Sequence, residues 1–489
     1  MSRREPVTRR ERGAPGEPGA PGEPAAARRA RAWHADLAWL AGLGVCRDVL
    51  IEAAGDRFSA VTPGVRRDEV PAGTQRLAGL TLPGLANAHS HAFHRALRGV
   101  TQASRGTFWT WRERMYEVAA GLEPDSYLAL ATAVYAEMAL AGITCVGEFH
   151  YLHHGQGGTP YDDPNQMGRA LIEAARRAGI RITLLDTCYL SGGLTADGSP
   201  EPLAGPQLRF GDGDADGWAV RASALGGDQH GMLGPAARAG AAIHSVRAVP
   251  PHQMHPVVAW SHRAGAPLHA HLSEQRAENR ACLAAYGCTP AEVLFDVGAL
   301  GPRASLVHAT HLTGRDVRLL GESRCYACLC PSTEADLADG IGPAGSLASA
   351  GCLLTVGSDS QAVIDIFEEA RRVELGERLA TQERGHFTAE SLARAATIDG
   401  HASLGWPDAG EIAAGALADL VTVSLDTPRT AGTRAATALE SVIFAADAAD
   451  IRYVAVGGTD VVTDGRHLLV GDVCARLSAA VRAVLPACR

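Results

Sequence analysis

Four short apolar runs along this chain each end in a side chain that can bind a metal or carry a proton, and the fold must bring those ends together. The first lies in residues 82–99, LPGLANAHSHAFHRALRG, where an apolar run broken by Pro-Gly leads into His89 and His91. Alternate side chains of an extended strand point the same way, so these imidazoles project together and can grip one divalent ion. Residues 268–275, LHAHLSEQ, repeat the pattern, with His271 followed three residues later by Glu274, a carboxylate able to carry a proton. An apolar strand ends at His308 in 306–311, LVHATH, and a buried-strand pattern ends at Asp359 in 353–360, LLTVGSDS.

Each element alone has a bland reading. A His-x-His pair can be a satisfied core or loop pair, an Asp after Gly-Ser a turn or helix cap, and Glu274 a salt-bridge partner of Arg276. Four repeats of one geometry weigh against all of these together. Functional groups at the C-terminal ends of strands are the arrangement of a (β/α)8 barrel.

The remaining sequence fits an α/β chain built on such a barrel. Between residues 81 and 404 strand-like runs (143–147, 180–185) alternate with helix-like ones (124–141, 168–178), the signature of a parallel barrel. Residues 211–240 are polar and Gly-rich and receive no assignment. At 489 residues the chain has room for a barrel and a smaller appended domain. Hydrophobic residues make up 46% and charged residues 20%, as in a globular body. Residues 1–32 differ: Arg-rich ends surround GAPGEPGAPGEP, too few triplets for collagen, and the composition predicts a solvated tail without the apolar core of a signal peptide.

Several classes are excluded. A net charge of −9 with no basic block in the body gives no footprint for nucleic acid, so a small-molecule substrate is expected. No run of about 18 apolar residues supports a membrane span. The eleven cysteines are odd in number and scattered, and read as reduced thiols of a cytoplasmic protein. Cys325, Cys328 and Cys330 lie in one apolar stretch with no second cluster, so they are expected as buried structural residues rather than a zinc site.

With these motifs in hand, the chain resembles the amidohydrolase superfamily from about residue 35 to its end. Its narrower segments, HSHAFHRALRG, TFWTWRERMY (107–116), EFHYLHH (148–154) and LCPSTEADLADGIGP (329–343), resemble the branch of deiminases that hydrolyse N-formimino-L-glutamate to N-formyl-L-glutamate and ammonia in histidine degradation. The resemblance implies a small β-sandwich built from both chain ends, residues 33–80 and 405–489, flanking the barrel of 81–404. It also implies a homodimer.

For the site it implies that His89, His91, His271 and Asp359 hold one divalent metal ion. Such an N/O ligand set suits Zn2+ first, with iron, manganese or cobalt able to use the same ligands. Glu274, His308 and Asp359 become the catalytic acid-base groups. Arg112, Tyr151, His244 and Arg247 match substrate-binding positions, and guanidinium forks suit a substrate with two carboxylates. His94 also falls at such a position, where the family usually carries glutamine, and imidazole can still donate one hydrogen bond. Two alternatives stay open: a related deaminase acting on another formimino or guanidino acid or an aminated heterocycle, and a catalytically inactive metal-binding relative.

Overall fold

A computed structural model of the chain describes residues 30–103, 105–226 and 233–485, so most of the expected tail lies outside the described residues. The barrel consists of eight strands: β1 (Leu85–Ser90), β2 (Ile143–His150), β3 (Arg181–Cys188), β4 (Ala237–Ile243), β5 (Leu268–Leu272), β6 (Ala304–His308), β7 (Tyr326–Leu329) and β8 (Leu353–Val356). They hydrogen-bond in sequence order and in parallel, and at least one helix follows each. The strands are short, and β1, β2, β3, β5 and β6 are buried at every position, as strands covered on both faces must be.

The sheet closes just past the last strand. The Asp359 amide donates to the His89 carbonyl (3.0 Å) and the His91 amide donates to the Asp359 carbonyl (3.2 Å). Close packing inside the barrel explains a small residue in β2: a Cβ added to Gly147 would stand 2.3 Å from Leu404 Cδ2 and 2.8 Å from the Ala88 carbonyl oxygen.

The chain ends share a second eight-stranded sheet. Strand Gln75–Pro83 joins them, pairing in parallel with Ala30–Leu40 and antiparallel with Leu420–Val423. The sheet curls over its own face, because Trp33 Nε1 reaches Tyr453 Oη at 2.7 Å across two intervening strands. Trp33, Ile51, Phe58, Leu420 and Tyr453 belong to its separate core, consistent with the sandwich expected from both ends. The first strand begins at Ala30, where Arg31 is tied to Gln75 and Asp460. The C-terminal part also contains helix Val473–Val484, which packs on the barrel helix Pro124–Leu140.

One buried ion pair joins the two bodies. Arg181 at the start of β3 donates Nε and Nη2 to the two oxygens of Asp419 at 2.7 and 2.9 Å. The stretch left unassigned in the sequence contains helix Ala215–Gly226 and the start of β4, with residues 227–232 outside the described residues. Ten cysteines are described, all are free, and Cys325, Cys328 and Cys330 are buried. Among the described residues no helix is long and apolar enough to cross a membrane.

Candidate metal-dependent active site

The alternation expected around His89 and His91 is present although β1 ends between them. His91 keeps an extended backbone (φ −125°, ψ 93°) before a short 3-10 helix begins, so both imidazoles face the barrel axis. His271 is the penultimate residue of β5, His308 the last of β6, and Asp359 lies three residues past β8. Left-handed backbone recurs here at residues other than glycine: Ser273, His308, Ala309 and Asp359 have φ between 39° and 70°. Such conformations cost free energy and cluster where side chains must be aimed.

His89, His91, His271 and Asp359 form one buried group of potential ligands. His89 Nε2 stands 3.2 Å from both His91 Nε2 and His271 Nε2, while Asp359 Oδ1 lies 3.3 and 3.4 Å from His89 and His91. The outer nitrogens decide the tautomers. His91 Nδ1 donates to the Phe149 carbonyl and His271 Nδ1 to the His244 carbonyl, each at 2.9 Å, which leaves both Nε2 atoms as bare lone pairs. Burial pushes the pKa of all three imidazoles down, so they are neutral, as ligands must be. Lone pairs and a carboxylate facing one another out of water repel unless a cation sits among them. The donor set therefore fits a divalent metal ion.

Carboxylates surround His308. Its Nε2 lies 3.9 Å from both Glu274 and Asp359, and its Nδ1 3.4 Å from Glu334. Burial alone would lower its pKa, but Glu274, Glu334 and Asp359 outweigh burial and raise it well above the usual histidine value.

All the site residues expected from sequence except His89 line one cavity of about 50 Å3. Both arginines that line it are folded onto protein groups. Arg112 donates Nε to Tyr116 Oη (2.6 Å) and Nη2 to the Gly192 carbonyl (2.9 Å). Arg247 donates Nη2 to Glu274 Oε2 (3.2 Å), so the partner of Glu274 is Arg247 and not Arg276. Tyr151 Oη and His94 Nε2 share a 3.1 Å hydrogen bond, and burial drives the His94 pKa down to about 3, leaving that ring neutral. His244 packs its ring on Tyr189 and also holds His271 through its carbonyl. A larger cavity, about 850 Å3, opens beside helix Ile366–Thr381, and none of its lining residues belongs to the ligand group.

Sequence reasoning missed several contributors. Glu148 accepts from the Ala92 amide and Ser90 Oγ, both at 2.7 Å, and so fixes the turn that carries His89 and His91. Burial, against those two hydrogen bonds, raises its pKa to about 8. Tyr189, Tyr116 and Glu278 surround the two arginines. Glu278 lies four residues after Glu274, in the first turn of helix Arg276–Tyr286, and that proximity in sequence was the available signal for it.

A parallel eight-stranded barrel with this ligand group at the C-terminal ends of its strands defines a metal-dependent hydrolase of the barrel class. The chain belongs to the amidohydrolase family, whose profile matches residues 80–461. It is 36% identical over 434 residues to the formimidoylglutamate deiminase of Pseudomonas aeruginosa, covering 87% of this chain and 93% of that one. It is 32% identical to the 8-oxoguanine deaminase of the same organism, over 83% and 88% of the two chains. Among solved structures an amidohydrolase from Brucella melitensis superposes with a TM-score of 0.84 at 31% identity, covering 93% of this chain and all of that one.

Proposed function

We propose that this protein hydrolyses N-formimino-L-glutamate to N-formyl-L-glutamate and ammonia. The observation that carries this reading is the placement of Arg112 and Arg247 in the same cavity as the ligand group, where two guanidinium forks suit a substrate with two carboxylates. The relationship to a formimidoylglutamate deiminase supports it.

In the reaction water adds to the formimino carbon, its oxygen becomes the formyl oxygen, the bond from that carbon to the terminal nitrogen breaks, and the imino nitrogen leaves as ammonia with both protons of the water. His89, His91, His271 and Asp359 would hold one divalent ion, zinc by preference for this N/O set. A cation held there supplies acidity, lowering the pKa of water from about 15.7 towards about 7. Asp359 would take the proton of the attacking water, and His308, 3.9 Å from it, would orient that water by donating to it. Glu274, 3.9 Å from His308, carries a proton to the departing nitrogen. Arg112, Arg247 and the Tyr151–His94 pair receive the carboxylates, with His244 beside them.

Deamination of an aminated heterocycle is the second reading, favoured by the similarity to 8-oxoguanine deaminase. An aminated purine gives the two arginines no carboxylates to bind, which counts against it. Product identification tests the proposal. Metal-replete protein incubated with N-formimino-L-glutamate should yield N-formyl-L-glutamate and ammonia in equal amounts by NMR. Formamide and glutamate in their place, or no reaction, would reject it.

A further inference from the structure

Arg247 stands between two carboxylates and is fully engaged by neither. Its Nη2 donates to Glu274 Oε2 at 3.2 Å, while its Nε faces Glu278 Oε2 at 3.6 Å, beyond hydrogen-bond range. Among the described residues that Nε has no acceptor, and neither oxygen of Glu278 has a donor. Glu278 is 2% exposed and sits in the first turn of helix Arg276–Tyr286. A buried carboxylate and a facing N–H, both unsatisfied, are costly to the fold. Closing the gap by roughly 0.7 Å would satisfy both.

Glu274 is held on one side only: Oε2 accepts from Arg247, while Oε1 faces His308 at 3.9 Å, beyond hydrogen-bond range. A carboxylate paired with a guanidinium is a weaker base, so it takes up less readily the proton it must pass to a departing nitrogen. The cavity, at about 50 Å3, is also far below the roughly 300 Å3 at which small-molecule clefts start, so side chains lining it must shift to admit a substrate.

We infer that Arg247 is a switch operated by the substrate's own carboxylate: binding it draws Arg247 off Glu274 and onto Glu278, which frees Glu274 for proton transfer. This inference rests on the reading of the substrate as a carboxylate-bearing formimino acid. Glu278 is then a positioning residue that receives the displaced cation. Recognition of a remote carboxylate would be expressed in kcat as well as KM, because the binding interaction completes the catalytic site. An amidine lacking carboxylates would bind with Glu274 still held.

The test uses the metal-replete protein with N-formimino-L-glutamate and with N-propylformamidine, which has the same reacting group and no carboxylate. Glu278→Gln should lower kcat for N-formimino-L-glutamate by roughly tenfold or more while KM moves less than about threefold. Arg247→Met should lower kcat/KM for N-formimino-L-glutamate yet raise it for N-propylformamidine above the parent, because Glu274 is released. Free propionate should stimulate the parent's turnover of N-propylformamidine, a readout that needs no variant to fold. The switch is overturned if propionate gives no increase, if Arg247→Met weakens both substrates in equal proportion, or if Glu278→Gln changes KM alone. Failure of the parent on N-formimino-L-glutamate, with propionate activation intact, would instead reject the substrate reading and keep the switch.

Discussion

The amide of Asp359 donates to the carbonyl of His89 at 3.0 Å and its carbonyl accepts from the His91 amide at 3.2 Å, so the seam that closes the barrel is made by three of the four candidate metal ligands. Barrel closure and ligand geometry are therefore one structural feature. Shifting the register at this seam would move Asp359 away from the three imidazoles.

Metal dependence follows from the ligand group. The protein is expected to carry close to one divalent ion per chain, and Asp359→Asn or His271→Ala should reduce turnover to background while the fold persists. Elemental analysis beside circular dichroism checks both. Full activity in exhaustively chelated, metal-free protein would contradict it.

Arg112 is half-buried, and its three hydrogen bonds, to Tyr116, Tyr189 and the Gly192 carbonyl, could be redirected to a carboxylate. Replacing it with methionine removes a charge-assisted contact of order 2 kcal/mol, so kcat/KM for N-formimino-L-glutamate should fall by roughly 30-fold. Metal content should stay at the parental level. Parental efficiency in this variant would show that Arg112 does not bind substrate.

The Arg181–Asp419 pair is a stability element, fully enclosed where the barrel meets the sheet of the chain ends. Asp419→Asn leaves a buried guanidinium without its counter-charge, a loss of about 3–5 kcal/mol. Adding Arg181→Met to it should recover part of the loss, since the orphaned charge is then gone. Urea unfolding of the parent, the single variant and the double variant measures this, and a single-variant loss under about 1 kcal/mol would contradict it.

Acid should act through Asp212. Burial alone would raise its pKa, but hydrogen bonds from His154 and Arg221 hold it well below the usual carboxylate range. Its folded pKa lies below the unfolded value of about 3.9, so its contribution is complete above that pH and is lost as pH falls towards the folded pKa. Asp212→Asn should therefore be less stable than the parent near neutrality, by a margin that narrows below about pH 4. Thermal unfolding across that range decides it, and a margin that widens on acidification would be the wrong sign.

Much of this architecture was legible because strand periodicity and residue chemistry coincide. His89 and His91 could be read as one-sided from their spacing alone, and the segments that carry His271, His308 and Asp359 are β5, β6, and β8 with the loop just past it. Strand β4 was not legible. Its sequence, ARAGAAI, lacks the large β-branched residues that signal a strand, and Gly240 packs closely there, since a Cβ would stand 2.8 Å from Leu185 Cδ2. The pairing of Arg247 with Glu274 and Glu278 was also hidden. It depends on how the segment after β4 faces the segment after β5, which no local pattern encodes.

The measurement that bears most directly on the proposed function is the ratio of kcat/KM values for ammonia release across a small panel. Metal-replete protein would be assayed with N-formimino-L-glutamate, a guanidino diacid of similar length, 8-oxoguanine and 5-methylthioadenosine. The expected result is a preference for N-formimino-L-glutamate of roughly a hundredfold or more, since a site built to pair two carboxylates penalises ligands that leave its arginines unpaired. Higher kcat/KM for either purine, or no ammonia from N-formimino-L-glutamate, would contradict it.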